Sequence, residues 1–324
     1  MQVILRTKFR VIKYTISPFP DLDGETGRST RPPDGAESQR AQEAGGQASR
    51  RIHIAMRTTQ GDAAMTRIKK AKTFAALHRR GDPLILYNIW DAGSAAAVAG
   101  AGAKALATGS HSVAEAQGWP DGEHLPLDIL LAVVSRITAI SDLPLSVDFE
   151  SGFAREPERI SANVARLLET DAVGINFEDQ LIGGQPEGDL YPIYPLEEQV
   201  TRLRAVRAAA DAAGVPLFVN ARTDLVLRQG DISQHPALIG AVIERGQAYA
   251  EAGATGFFVP GLVTPDLIGR VVEATSLPVN LMTKPGMPDT TTLAALGVAR
   301  ISHGPFPYWR AMAQVRDWAA EAME

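Results

Sequence analysis

From Pro83 to the C-terminus, apolar and polar positions follow one repeating plan. A short apolar run is followed by a turn, then by a longer stretch with apolar residues every three or four positions, then by a Gly or Asp-Leu-Pro break. Eight runs read as strands: PLILYNIW, KALATGS, LPLSVDFE, AVGINFED, PLFVNART, TGFFVPGL, LPVNLM and ARISHG. The 3,4 spacing predicts helices, most clearly over 126–140, 156–168, 196–213, 237–252 and 308–323. Eight strand-helix units in about 240 residues predict an α/β fold of the (β/α)8, or TIM barrel, type. A doubly wound sheet would leave strand edges that a barrel of this length does not.

Before Met65 the pattern fails. Residues 17–64 are rich in Gly, Pro, Ser, Arg and Glu and hold little to bury, so 1–64 is expected to be a disordered tail or an upstream start-site artefact, with 65–324 forming one catalytic barrel. The opening MQVILRTKFRVIKY is basic but alternating, unlike the continuous apolar core of a secretory signal. No run approaches the roughly 18 to 20 apolar residues of a membrane span. The net charge of -5 divides unevenly: the first 64 residues carry 10 basic and 7 acidic groups, and the remainder 22 and 30. An acidic body without a basic stripe argues against a nucleic-acid surface. Zero cysteines exclude thiolate ligands and cysteine nucleophiles and fit the reducing cytoplasm.

Barrel chemistry sits where strands end. The third strand ends on Asp148 and Glu150, two apart and so expected on one face; the fourth ends on Asn176 and Glu178, with Phe177 and Asp179 turned away; the fifth ends on Asn220, Arg222 and Asp224. The second ends on Gly109, Ser110 and His111, small residues that leave backbone amides accessible, and the next loop carries Asp121. Oxygen ligands without thiols or paired histidines suit a hard cation, Mg²⁺ first and Mn²⁺ second. Such a cation would chelate a 2-oxo acid and stabilise an enolate, while Arg222 would pair a carboxylate or phosphonate. The plainer readings are an N-cap for Asp91, a structural role for Asp179, an internal ion pair for Arg222 with Asp224, and polar fillers for His111 and His303. They explain less well why Asp148, Glu150, Glu178 and Arg222 should meet at one mouth.

GSHSVA with GWPD, LPLSVDFESGFA, AVGINFEDQ, VNARTD and ALGVARISHGPFPYWRAM, in this order and at these strand ends, resemble the isocitrate lyase and phosphoenolpyruvate mutase superfamily, in particular its short bacterial members. The resemblance runs from about Thr73 to the C-terminus. It implies a barrel of the phosphoenolpyruvate/pyruvate-binding type, with Asp148 as the principal direct Mg²⁺ ligand and Glu150, Glu178 and Asp121 holding metal-bound waters. It further implies a substrate pocket formed by the Ser110 and His111 amides, Asn220 and Arg222, with Arg222, Glu178 and Asp121 as catalytic groups. A homotetramer or dimer packed through the last helix is implied as well.

Three departures qualify the resemblance. Family lyases carry a Lys-Arg-Cys-Gly-His segment where this chain has GGQPEG at 183–188, so the usual proton donor is missing. The Asp-x-Asp pair is Asp148-x-Glu150. After the sixth strand, Pro260-Gly261-Leu262 replaces a glutamate. The expected activity is therefore a Mg²⁺-dependent lyase that breaks or forms a C–C bond beside a 2-oxo acid, with water, Glu187, Tyr191 or another loop group as the acid. The alternatives are a phosphonate mutase or hydrolase and a catalytically silent barrel that binds a 2-oxo acid.

Overall fold

A computed structural model describes residues 65–181 and 192–324. The expectations for 1–64 and for the loop at 183–188, with Glu187 and Tyr191, lie outside the described residues.

All eight expected strands form: β1 Leu84–Leu86, β2 Leu106–Ala107, β3 Leu145–Asp148, β4 Gly174–Glu178, β5 Phe218–Arg222, β6 Gly256–Phe258, β7 Val279–Met282 and β8 Arg300–Ser302. They make one parallel sheet in the order β1-β8-β7-β6-β5-β4-β3-β2. The ladder ends on β1 and β2, and a parallel bridge between Ile89 and Thr108 closes most of that gap. There the Ile89 amide donates to Ala107 O at 2.8 Å and the Gly109 amide to Ile89 O at 3.3 Å. The strands read as continuous apolar runs because both faces are covered, and every residue of β3 and β4 is buried.

Helices surround the strands. After α1 at 65–76 come α2 Ala92–Gly100, α3 Ser110–Ala116, α4 Leu127–Ile140, α5 Pro157–Leu168, α6 Leu196–Ala212, α7 His235–Glu251, α8 Pro265–Ala274, α9 Thr290–Ala295 and α10 Phe306–Met323. The α5 pattern is typical: Ile160, Val164, Leu167 and Leu168 fall on one stripe and are all buried. Two helices begin two residues before their expected start, at His235 and Phe306, because Pro236 and Pro307 sit in the first turn, where proline's missing N–H costs nothing. Asp91 is the N-cap expected of it. Its Oδ1 accepts from the Ser94 amide at 2.6 Å while Ser94 Oγ accepts from the Asp91 amide at 3.0 Å.

The N-terminal end of the barrel is plugged by α1. Phe74 meets the Phe218 ring edge-on at 5.3 Å, and His78 stacks on Phe218 at 3.9 Å. Burial, with the Arg300 charge nearby, lowers the His78 pKa to about 3, so the ring serves as a neutral packing group. Gly174 is required here, since a Cβ would lie 2.7 Å from a Phe74 ring carbon. The opposite end is left open and polar. No helix among the described residues is long and apolar enough to cross a membrane.

Candidate active site

At the C-terminal ends of the strands lies a cavity of about 370 Å³ whose wall includes Ser110, His111, Asp121, Asp148 and Arg222. Of the other expected site residues, Asn220, Glu150 and Glu178 are buried just beneath or beside that wall.

Asp148 is the fixed point. Its Oδ1 accepts from Asn176 Nδ2 at 3.2 Å, its Oδ2 accepts from the Ser110 amide at 3.0 Å, and its own amide donates to Thr108 Oγ1 at 2.9 Å. Asn176 is oriented in turn, because its Oδ1 accepts from Asn220 Nδ2 at 2.9 Å and from Arg300 Nη2 at 3.2 Å. Asn220 therefore acts one layer down, through Asn176, and the Ser110 amide is directed at Asp148. Both oxygens of Asp148 keep a free lone-pair direction after these bonds.

Glu150 reaches the site by a route that strand alternation does not describe. β3 stops at Asp148, and Glu150 has φ +47°, a left-handed conformation unusual for a residue with a side chain. A partner in the preceding loop maintains it: the Glu123 amide donates to Glu150 Oε2 at 2.6 Å. Glu123 Oε1 accepts from the Ser151 amide, Ser151 Oγ and the Phe153 amide at 2.8–2.9 Å. Glu123 and Phe153 also have positive φ, so the strain is concentrated where the two loops interlock. The sequence reading missed Glu123, whose only signal was an acid two residues after Asp121.

Arg222 makes the internal ion pair that was the plainer expectation. Its Nε and Nη2 donate to Asp224 Oδ1 and Oδ2 at 2.6 and 3.0 Å, and Nη1 lies 2.7 Å from Glu178 Oε2. Burial alone would lower its pKa, but Asp224 and Glu178 outweigh that and hold the guanidinium charged. Three of its five N–H groups are thus committed and two remain for a ligand.

Negative charge is nevertheless in excess. Burial pushes the Glu150 carboxyl well up, with Asp121, Glu123 and Asp148 adding to the push. Burial also raises Glu178 well above the usual range, against the pull of Arg222 and with help from Asp224, Asp148 and Glu150. Asp121, at the rim with 43% of its side chain exposed, is raised by its partial burial and by Asp148. His111 stands beside it. Trp309 Nε1 lies 2.9 Å from His111 Nε2, Glu115 Oε1 lies 3.2 Å from the same nitrogen, and His111 Nδ1 faces Asp121 Oδ2 at 3.8 Å. Among the described residues, no three or more His, Asp or Glu side chains form a ready-made ligand shell.

Asp179 faces the helices, as expected, and bonds Arg245 and Tyr249 on α7. Lining residues that the sequence did not assign to the site include Asn88, Met282, Lys284 and Trp309. Gly261 belongs to the Pro260-Gly261-Leu262 stretch that the resemblance marks as replacing a glutamate. With φ +88° and a Cβ position 2.8 Å from Leu227 Cα, it admits no side chain.

Residues 74–323 match the family described as phosphoenolpyruvate phosphomutase. A solved structure from Burkholderia cenocepacia J2315, provisionally assigned as a phosphonomutase, is 43% identical with a TM-score of 0.74, covering 79% of this chain and 99% of that one. Uncharacterized protein Rv1998c of Mycobacterium tuberculosis (strain H37Rv) is 34% identical over 237 residues, 73% of this chain and 83% of its own. The 2-methylisocitrate lyase of Escherichia coli K12 is 32% identical over 214 residues, 64% of this chain and 68% of its own.

Proposed function

The chain belongs to the phosphoenolpyruvate phosphomutase family, within the isocitrate lyase and phosphoenolpyruvate mutase superfamily, and from that premise we propose a Mg²⁺-dependent lyase that acts on a small 2-oxo acid at a C–C bond. The observation that carries this reading is the crowding of Asp121, Glu150 and Glu178 around a clamped Asp148, all three made costlier to ionise by burial and by the Asp148 charge. These hard oxygen donors fit Mg²⁺, with Asp148 as the direct ligand and the other three reaching it through water. When bound, the ion would supply Lewis-acid stabilisation of negative charge on a keto oxygen.

The chain's own groups do the rest. Asn176 and the Ser110 amide hold Asp148 in one orientation. The two uncommitted N–H groups of Arg222 are available to a substrate oxygen, and Asp224 and Glu178 fix the plane of that fork. Asp121, whose pKa is raised by partial burial and by Asp148, stands at the rim next to the His111 ring, where a group that exchanges protons with substrate would be placed. A panel of 2-oxo acids with Mg²⁺, followed by product analysis, tests the assignment. Cleavage of a C–C bond is expected, and binding without turnover of any member would make the barrel a sensor instead. The 43% identity to the Burkholderia protein supports one alternative, P–C bond chemistry. Phosphorus NMR with phosphonopyruvate decides between them, an unchanged spectrum leaving the lyase.

The pKa directions predict how Mg²⁺ and pH interact. A carboxyl whose native pKa is raised above the ordinary 4.5 adds stability that is present below that value and is lost as pH rises through the native one. A cation offsets this loss. The increase in Tm produced by Mg²⁺ is therefore expected to be larger at pH 8 than at pH 5.5, as measured by calorimetry; equal increments would count against the site.

The proposal includes a cytoplasmic homo-oligomer. Met312, Val315 and Trp318 are exposed at three-residue spacing along α10, with Trp318 63% exposed, which supports self-association. Trp318→Glu is expected to lower the molar mass seen by light scattering while retaining Mg²⁺ and oxalate binding.

A further inference from the structure

The turn after β3 is held by a buried cation that does not line the cavity. From Glu150 through Arg155 every backbone carbonyl has a donor. The Glu178 amide donates to Glu150 O at 2.8 Å, and Asn163 Nδ2 donates to Gly152 O and Phe153 O at 2.9 and 3.3 Å. The other three carbonyls share one side chain, Arg202 of α6: Nη2 donates to Ser151 O at 2.5 Å, and Nη1 to Ala154 O at 3.1 Å and Arg155 O at 2.8 Å. Its Nε donates to Gln199 Oε1 at 3.1 Å, and Gln199 Nε2 donates to Glu178 O at 3.0 Å, so the same turn of α6 holds the end of β4. An arginine on a helix is ordinarily solvated or ion-paired. Arg202 is 1% exposed, and among the described residues no carboxylate lies within ion-pair distance; the Tyr194 ring covers its guanidinium at 3.9 Å instead. The amides of Ser151 and Phe153 go to Glu123. Glu123 and Arg202 therefore divide the backbone of one turn between them, the first taking N–H groups and the second C=O groups, where Glu150 and Phe153 have positive φ.

We propose that Arg202 is a positioning residue for the metal site: its fork locks the turn after β3 so that Glu150 keeps the left-handed backbone that presents its carboxylate there. The inference rests on the proposed function, because Arg202 has this task only if Glu150 serves a cation. Arginine suits it for a geometric reason. A rigid planar fork fixes three carbonyls relative to one another, whereas an ammonium on a flexible stem holds them loosely. A turn released from the fork lets Glu150 return to the extended region, and its carboxylate then leaves the site.

Mn²⁺ binding, read from the electron paramagnetic resonance signal of the free ion, tests this in a double-mutant cycle of Arg202→Gln and Glu150→Gln. Tm is measured alongside, and titrations are run where every variant is folded. Each single change should weaken Mn²⁺ about 10- to 100-fold, the range for groups behind a direct ligand, and the double variant should bind no more weakly than Glu150→Gln alone. Tm should behave differently, falling on Arg202→Gln whether or not Glu150 is present. Losses of affinity that multiply in the double variant, full affinity in Arg202→Gln, or no loss in Glu150→Gln overturn the role of Arg202 while leaving Asp148 and the metal standing. If Arg202→Gln does not fold, Arg202→Lys, which keeps three donors but not the fork, takes its place with the same outcomes read the same way. Failure of the wild type to bind Mn²⁺ overturns the proposed function and this inference with it.

Discussion

Asp148→Ala is expected to remove Mg²⁺-dependent oxalate binding, with a loss of more than about 100-fold in affinity. That floor comes from metal sites in which changing a group behind the ligand already costs about 10- to 100-fold. Removing the direct ligand should exceed it. Asp148 also cannot be replaced from nearby, because Glu150 is held by the Glu123 amide, Glu178 by Arg222, and Asp121 stands at the rim. The Ser110 amide and Asn176 Nδ2 would face a space that water can enter, so the fold should survive. The check is calorimetric titration of oxalate with and without Mg²⁺, alongside Tm. At oxalate concentrations 100-fold above Kd, wild type should gain about 2.7 kcal/mol of stability from the ligand and the variant almost none. Binding within threefold of wild type would remove Asp148 from the metal site and sink the proposed function with it.

The fold was legible because burial on both faces leaves a one-dimensional trace. Each of the eight apolar runs became a strand, and the helix stripes fell within two residues of their expected bounds. The carboxylates of the mouth were legible for the same reason, since polar residues at the ends of apolar strands stand out. Two kinds of feature were not. One depends on barrel closure: Asn88 Oδ1 accepts from the His303 and Gly304 amides at 2.9 Å and its Nδ2 donates to Thr108 O at 2.8 Å, joining segments as many as 216 positions apart. Trp309 meets His111 across a similar separation. The other kind depends on where a strand stops. Alternation placed Asp148 and Glu150 on one face, but β3 ends at Asp148 and a left-handed backbone supported by Glu123 brings Glu150 in. Arg222 could be read as a ligand for substrate or for Asp224, and only the distances to Asp224 and Glu178 separate the two.

The largest loss of stability is expected at Asp179, behind the site. Its carboxylate is fully buried, with Oδ1 accepting from the Asp224 amide at 2.9 Å and Oδ2 from Arg245 Nη1 at 3.1 Å and Tyr249 OH at 2.9 Å. Arg245 keeps only Tyr194 O and the Tyr249 hydroxyl when that carboxylate is removed. Asp179→Ala therefore strands a buried guanidinium, at a cost of about 3–5 kcal/mol. In a barrel of this size that corresponds to a fall in Tm of roughly 10 °C. The same change frees the Asp224 amide, and Asp224 is the clamp on Arg222, so oxalate binding should also weaken at temperatures where the variant is folded. A double-mutant cycle separates the two effects. Asp179→Ala with Arg245→Met removes the stranded charge and should recover most of the Tm, because an apolar replacement of a buried pair is often close to neutral. It should not recover oxalate affinity, since the Asp224 amide is still without its acceptor. Recovery of both would place the whole effect in the α7 contact and leave Arg222 independent of Asp179.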